Sequence, residues 1–186
     1  GLILIVAAMV IGAIIGIIRA RRVEMTGMPE PIAMLHSFVG LAAVLVGWNS
    51  FYEGGGENPG VHHGEVGIGV FIGAVTFTGS VIAFLKLSAR MSGAPILLPA
   101  RHAVNIALGV ALVLLIVVFV RTESYLAFWL ICLVAFALGV LMLVPIGGAD
   151  MPVVISLLNS YAGISAVAMG FVLENQLLIV AGALDG

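Results

Sequence analysis

Six long apolar runs dominate the sequence and decide the class of fold. They occupy residues 1–18, 32–53, 64–86, 103–121, 124–144 and 152–173, and a shorter seventh run covers 177–186. A bilayer core about 30 Å thick needs about 20 apolar residues in helical form, a length that each of the six runs approaches or reaches. Because the runs are continuous and do not alternate, they predict helices and not barrel strands. We therefore expect an all-α transmembrane bundle of six helices and a truncated seventh, forming one domain over 1–186.

The composition excludes several classes of protein. Of the 186 residues, 62% are hydrophobic and only 9% are charged, whereas soluble domains carry about 25% charged residues. The net charge of -2 is too weak to indicate a nucleic-acid partner. The single Cys132 offers no disulfide framework or cysteine-rich metal site, and we expect it to be a small buried hydrophobe. We also expect both ends of the chain to be cuts within a longer subunit.

The basic residues are distributed unevenly between the two ends of the predicted bundle. Only Arg121 falls on one side. The other side carries six: Arg19, Arg21, Arg22, Lys86, Arg90 and Arg101. This positive-inside bias predicts that the second side is cytoplasmic. An aromatic belt is expected at the opposite surface, formed by Trp48, Tyr52, Tyr125 and Trp129.

Three of the predicted helices carry stripes of small and polar residues at helical spacing. The second helix has His36, Gly40, Ala43, Gly47 and Ser50; the third has Gly69, Gly73, Thr76, Ser80 and Ala83; the sixth has Ser156, Asn159, Gly163, Ala166 and Gly170. Small residues allow membrane helices to pack closely, so these faces predict helix contacts. Gly12 and Gly16 form a similar GxxxG pattern on the first helix. The fourth and fifth helices are apolar nearly all round, which favours a peripheral, lipid-facing position.

Three polar residues lie at similar depth on the three small faces. His36, Ser80 and Asn159 are each roughly 6–11 Å from the cytoplasmic surface, at 1.5 Å per residue. An imidazole exchanges protons near neutral pH, and hydroxyl and amide groups orient water, so the three are candidates for a proton path. The alternative is structural. A transmembrane histidine or asparagine can simply hydrogen-bond a neighbouring helix, and serines are often packing residues.

Polar residues in the predicted loops have simpler interpretations. His62 and His63 are expected in an exposed loop, where metal binding is an alternative to ordinary solvation. Asp150 precedes Pro152 and is expected to cap the sixth helix. Glu30 is expected to be solvated on the cytoplasmic side, whereas Asp185 would lie inside the last helix, where an acid is costly. No residue set resembles a nucleotide fingerprint, a nucleophile–base pair or a convincing metal site.

Long segments of the chain resemble a known family. They include Leu35-His-Ser-Phe-Val-Gly-Leu-Ala-Ala-Val-Leu-Val-Gly47, Phe71-Ile-Gly-Ala-Val-Thr-Phe-Thr-Gly-Ser80, Gly147-Gly-Ala-Asp-Met-Pro-Val-Val154 and Leu158-Asn-Ser-Tyr161. In this order they resemble the beta subunit membrane domain of the bacterial proton-translocating nicotinamide nucleotide transhydrogenases. In that family, proton movement through the membrane drives hydride transfer from NADH to NADP⁺ in soluble domains. The resemblance implies that His36, Ser80 and Asn159 belong to the proton path, and that Asp150 is the functional loop acid.

The resemblance also implies cofactors and partners. NAD(H) and NADP(H) would bind to soluble domains and not to this chain, which would hold no catalytic hydride-transfer site and no metal. Partners would be membrane lipid, an alpha subunit with an NAD-binding domain and further helices, and an NADP(H)-binding domain after the last helix, in a dimeric assembly of the bacterial inner membrane. Two alternatives remain from the residues alone, a secondary transporter for an ion or solute and a passive membrane anchor.

Two further sets of residues complete the expected site. Thr76, one turn before Ser80 on the same stripe, is included in the predicted proton path. The cytoplasmic loops 19–31, 87–101 and 145–151 gather Arg21, Arg22, Glu30 and Asp150 on the side to which the chain returns. We expect these loops to form the docking surface for the NADP(H) domain.

Overall fold

The computed structural model describes residues 1–54 and 58–186, and this part of the chain is helical without strands. The helices are α1 (Leu2–Arg22), α2 (Pro29–Glu53), α3 (Pro59–Leu87), α4 (Arg101–Thr122), α5 (Tyr125–Leu143), α6 (Met151–Val172) and α7 (Gln176–Asp185), with 3₁₀ turns at Met25–Gly27 and Gly148–Asp150. The first six α-helices are long and apolar enough to cross a membrane. The predicted all-α bundle of six spans and a shorter seventh helix is confirmed.

Several helices extend beyond their apolar runs. α2 and α3 begin at Pro29 and Pro59, because proline is tolerated in the first turn, where its missing N–H needs no helical acceptor. α1 continues through Arg22, so the expected basic loop from residue 19 is wrong, and its arginines occupy the last turn of a helix. Cations are favourable there because they oppose the negative end of the helix dipole. The sequence also predicts a flexible glycine-rich turn over 54–60, of which residues 55–57 lie outside the described residues.

Helix α3 occupies the centre of the bundle and packs against α2, α4, α5 and α6. The backbones of α3 and α2 lie directly against each other at Gly40 and Gly73. A Cβ placed on Gly40 would lie 2.5 Å from the carbonyl oxygen of Gly73, and one on Gly73 would lie 2.8 Å from the Cβ of Ala43. The small-residue stripes on α2 and α3 therefore face each other, as their spacing predicted.

The peripheral position expected for both α4 and α5 holds only for α4. Helix α4 buries just Leu112 and Phe119. Helix α5 instead buries a full face against α3. The reason is a second small-residue contact, in which a Cβ on Gly139 would lie 2.6 Å from the carbonyl oxygen of Val75. The buried face of α5 also includes Ala127 and Ala135. Cys132 is buried on this face, as expected.

Helix α1 stands apart from the rest of the bundle. None of its residues is buried against the described part of the chain. A Cβ on Gly12 or Gly16 would meet no atom within 4 Å, so the packing expected from this GxxxG pattern is not supplied by residues 1–54 and 58–186. An apolar groove of about 550 Å³ separates α1 from the start of α2.

The two ends of the bundle differ in chemistry. We call the end that carries Arg22, Lys86 and Asp150 the basic end, and the other the aromatic end. At the aromatic end, the ring of Trp48 lies 5.0 Å from that of Trp129 and 6.2 Å from that of Tyr125, measured between centroids. The predicted gathering of aromatic residues at one end is therefore present. It joins α2 to α5.

Candidate functional site

The imidazole of His36 on α2 is hydrogen-bonded to the side chain of Asn159 on α6. The distance between Nε2 of His36 and Oδ1 of Asn159 is 2.9 Å. The Nδ2 group of Asn159 donates to the backbone carbonyl of Asp185 at 2.7 Å. Because a carbonyl oxygen can only accept, this second bond fixes the amide orientation, and Nε2 of His36 must carry the hydrogen that Oδ1 accepts.

The other ring nitrogen of His36 is in a different state. Nδ1 is buried and has no hydrogen-bond partner among the described residues. In the neutral imidazole, one nitrogen donates and the other accepts, so Nδ1 is the nitrogen without a proton. A buried acceptor without a partner is costly. Nδ1 is therefore the ring atom available to take up a proton, while Nε2 stays bonded to Asn159.

Helix register places Ser80 at the level of this pair. Gly40, one turn after His36, lies against Gly73 and Phe77 of the antiparallel α3. Moving one turn toward the basic end on both helices brings His36 opposite residues just beyond Phe77. On the same level, a Cβ on Gly79 would lie 3.2 Å from Leu158 of α6, next to Asn159. The small faces of α2 and α3 thus meet, and the hydrogen bond between His36 and Asn159 joins α2 to α6. The α6 stripe packs elsewhere, because a Cβ on Gly163 would lie 2.7 Å from the carbonyl of Gly182 on α7.

The hydroxyls of Ser80 and Thr76 behave differently. Both residues are fully buried. The Thr76 hydroxyl donates to the carbonyl of Ile72 in its own helix at 2.7 Å, a local bond that is common for threonine in helices. The Ser80 hydroxyl is buried without a hydrogen-bond partner in the part of the chain that the structure describes. Of the two, Ser80 has the hydroxyl with free bonding capacity.

The expected loop residues share the basic end. Arg21, Arg22 and Asp150 are exposed, and Glu30 is partly exposed. Within residues 1–54 and 58–186, none of these four forms a salt bridge. Asp150 occupies the N-cap position of α6, but its side chain makes no capping hydrogen bond, so the predicted cap is wrong. The 3₁₀ turn that precedes α6 gives Asp150 φ -90° and ψ 0°, not the extended conformation from which a capping side chain folds back.

The two histidines predicted to lie in an exposed loop are helical, and this expectation is wrong. Pro59 starts α3 early enough to include both. His63 is only 4% exposed and contacts the rings of Phe51 and Phe119 at 5.5 Å between centroids. His62 is hydrogen-bonded through Nε2 to the hydroxyl of Ser50 at 3.1 Å. In the described chain, no group of three or more His, Cys, Asp and Glu is arranged to hold a metal ion.

One buried charge was missed by sequence reasoning. Lys86 was counted with the basic loop residues, but it is only 5% exposed. Its ammonium donates to the carbonyls of Val144 and Ile146, both at 2.6 Å. These carbonyls follow the C-terminus of α5. The position of Lys86 in the last turn of an apolar run did not predict this burial, because lysines at such positions usually extend into solvent.

The chain was compared with protein families and with known proteins. The model of the family described as NAD(P) transhydrogenase beta subunit matches residues 1–186. A relative named NAD(P) transhydrogenase subunit beta, from Rhodospirillum rubrum, is 49% identical over 189 aligned residues, which cover 98% of this chain. The corresponding sequence from a named strain of the same species gives the same identity. The chain spans only 41% of the length of these relatives.

The sequence resemblance, the helical fold and the comparisons all indicate a membrane protein of one family. The matching family and the six apolar helices indicate a multi-pass membrane protein. The family resemblance expected from the sequence is confirmed over the whole chain. This chain belongs to the NAD(P) transhydrogenase beta subunit family.

Proposed function

We propose that this chain is the proton-conducting membrane domain of a transhydrogenase. It couples transmembrane proton movement to hydride transfer from NADH to NADP⁺ in soluble domains outside this chain. The observation that carries the proposal is the partly buried hydrogen bond between His36 and Asn159. It places a group that can exchange a proton between two helices of an apolar bundle, where an ionisable residue is costly and is commonly functional.

The proposed proton carrier is Nδ1 of His36. In the neutral state, Nε2 donates its hydrogen to Asn159, and Nδ1 offers a lone pair. Protonation at Nδ1 produces an imidazolium without breaking the bond at Nε2. Release from the same atom returns the resting state. Asn159 thus holds the ring in one tautomer and one orientation during both steps, as a hydrogen-bonded partner does for histidines in general.

Ser80 supplies the second half of the relay. Its hydroxyl is fully buried, and it has bonding capacity that its own helix does not use. A hydroxyl can donate and accept at once, so it can pass a proton or orient a water molecule that does so. Thr76, on the same stripe, remains in the proposed path. Its hydroxyl first has to leave the carbonyl of Ile72.

Orientation and partners follow from charge and topology. We propose that the basic end faces the bacterial cytoplasm, since all Lys and Arg residues except Arg121 lie at that end. The exposed Arg21, Arg22 and Asp150, together with Glu30, then form the docking surface for the NADP(H)-binding domain. An alpha subunit with an NAD-binding domain completes the assembly in the inner membrane, and its helices and lipid cover α1. The assembly as a whole is a dimer.

The experiment replaces Asn159, the hydrogen-bond partner of His36, and Ser80 by small apolar residues. Asn159→Ala and Ser80→Ala are made in the full transhydrogenase, which is reconstituted into vesicles. Each loses proton transport by about a hundredfold or more, the usual size of a proton-transfer contribution. Ser165→Ala is the matched control, because Ser165 is fully buried on α6 and its hydroxyl donates to Ala162 of its own helix. This control transports protons at the parent rate.

The same experiment separates the proposal from a passive membrane anchor. An anchor needs no polar groups inside the bundle. If Asn159→Ala and Ser80→Ala both assemble and pump protons at the parent rate, the proton-conducting role is wrong. Loss of assembly in both variants, with parent pumping per assembled complex, also contradicts it, because the polar groups would then serve only to hold the helices together.

A further inference from the structure

The ammonium of Lys86 connects the helix that carries Ser80 with the loop that carries Asp150. It lies in the last turn of α3, six residues after Ser80, which is about 9 Å along a helix. Its Nζ donates to the carbonyls of Val144 and Ile146, both at 2.6 Å. Asp150 follows four residues after Ile146, in the 3₁₀ turn before α6.

The two carbonyls belong to residues just beyond the C-terminus of α5. Helix α5 ends at Leu143, and its last carbonyls carry the negative end of the helix dipole. A cation is favourable at this position. Lys86 forms no salt bridge within residues 1–54 and 58–186. In that part of the chain, the carbonyl dipoles just after α5 therefore compensate the positive charge of Lys86, which is almost fully removed from solvent.

The loop between α5 and α6 is held from a second side. The N–H of Gly148 donates to the carbonyl of Gly93 at 2.8 Å, and the N–H of Ile96 donates to Val144 at 3.3 Å. These bonds tie the loop to the segment between α3 and α4. Lys86 is thus one of several links, and its hydrogen bonds join the loop directly to α3.

A buried core makes this connection rigid. Leu143 and Met151, which flank the loop, are both buried with Ala83 of α3 and Leu158 of α6. Leu143 also lies within 3.4 Å of a Cβ placed on Gly79. Closely packed side chains of this kind transmit displacements instead of absorbing them.

We infer that Lys86 is a positioning residue that couples the Asp150 loop to the proton path. A change in the docked soluble domain moves the loop, the loop carbonyls pull on the Lys86 ammonium, and α3 shifts Ser80 relative to His36. The inference rests on the proposed function. It adds a specific link between docking and proton transfer, since breaking the buried charge contact uncouples the two processes.

The test uses Lys86→Met, which keeps most of the side-chain length and removes the donor, in the full transhydrogenase reconstituted into vesicles. Protons moved per hydride transferred, hydride exchange that needs only the soluble domains, and thermal stability are measured together. We expect protons per hydride to fall about fivefold or more, a typical size for coupling between sites, while the soluble-domain exchange is unchanged. Lys86→Arg restores part of the ratio, because it keeps the charge and the donors.

The matched control is Arg121→Met. Arg121 is also a basic residue in the last turn of an apolar helix, but it lies at the aromatic end and is exposed. We expect Arg121→Met to leave the number of protons moved per hydride transferred unchanged. If Lys86→Met fails to assemble, Lys86→Gln, which keeps one donor group, gives the same comparison. An unchanged ratio in the assembled Lys86 variants, whether or not thermal stability falls, overturns the inference.

Failure of this inference is distinguishable from failure of the proposed function. If His36→Ala abolishes pumping but the Lys86 variants keep the parent ratio, only the coupling role of Lys86 is wrong. If His36→Ala pumps normally, the proton path itself is wrong, and the role of Lys86 in it is overturned with it.

Discussion

His36 and Asn159 are 123 positions apart in the chain and are joined by a hydrogen bond of 2.9 Å. The bond spans α2 and α6, and it depends on two backbones coming close enough for short polar side chains to reach each other. Glycines near each residue pack these two helices against other parts of the bundle. Gly40 sits one turn from His36 against α3, and Gly163 sits one turn from Asn159 against α7, where its added Cβ would lie 2.7 Å from the carbonyl of Gly182.

Gly40→Ala should disrupt the contact between α2 and α3. The added methyl group would lie 2.5 Å from the carbonyl oxygen of Gly73 and 2.6 Å from the amide nitrogen of Phe77, both backbone atoms that cannot rotate away. We expect a loss of about 1–3 kcal/mol in the free energy of unfolding, as for other overpacked positions. Thermal unfolding of the detergent-solubilised complex measures this.

Gly109→Ala is the control for this prediction. A Cβ at Gly109 on α4 meets no atom within 4 Å. Alanine there should be neutral or stabilising by about 0.5–1 kcal/mol, since glycine is unfavourable inside helices. Equal stability of the two variants would show that α2 and α3 do not pack through Gly40.

His63→Ala should destabilise the aromatic end. The His63 ring lies against Phe51 and Phe119, and its Nδ1 is 3.6 Å from a carboxylate oxygen of Glu123. Truncation leaves a cavity among these rings, so we expect about 2 kcal/mol of lost stability. The exposed His102 provides the control, and His102→Ala should change stability by no more than about 0.5 kcal/mol. A wild-type unfolding temperature for His63→Ala would contradict the packing described.

Charge changes at the basic end should alter coupling more than folding. Arg21→Glu and Arg22→Glu combined with Asp150→Asn affect three exposed residues, so stability should change little. We expect the coupled reaction rate to fall about tenfold and its salt dependence to change, because charged interfaces are sensitive to ionic strength. Arg121→Glu at the opposite end is the control. If the triple variant pumps and turns over as the parent does, this surface does not dock the soluble domain.

The membrane spans and part of the helix packing could be predicted from repeating patterns in the sequence. Spans follow from the length of apolar runs, and the facing sides of α2 and α3 follow from small residues at helical spacing. From these two patterns, His36 and Asn159 could be placed at one depth on facing helices. Their hydrogen bond is the consequence of that placement.

Other features depend on information that periodicity does not carry. The burial of α5 depends on the single Gly139 against Val75, a contact that a count of small residues overlooks. His62 and His63 were misplaced because a proline can begin a helix as readily as it can interrupt one. Lys86 was misplaced because the carbonyls that accept its hydrogen bonds belong to a segment about 60 residues further along the chain.

Whether His36 carries the proton can be measured as proton uptake by vesicles that contain the His36→Ala transhydrogenase. His102→Ala, a variant of an exposed histidine, is measured beside it, together with hydride exchange in the soluble domains and thermal stability. We predict that the His36→Ala transhydrogenase assembles and exchanges hydride but takes up no protons, whereas the His102→Ala transhydrogenase pumps protons as the parent does. Proton uptake at the parent rate by assembled His36→Ala would contradict it.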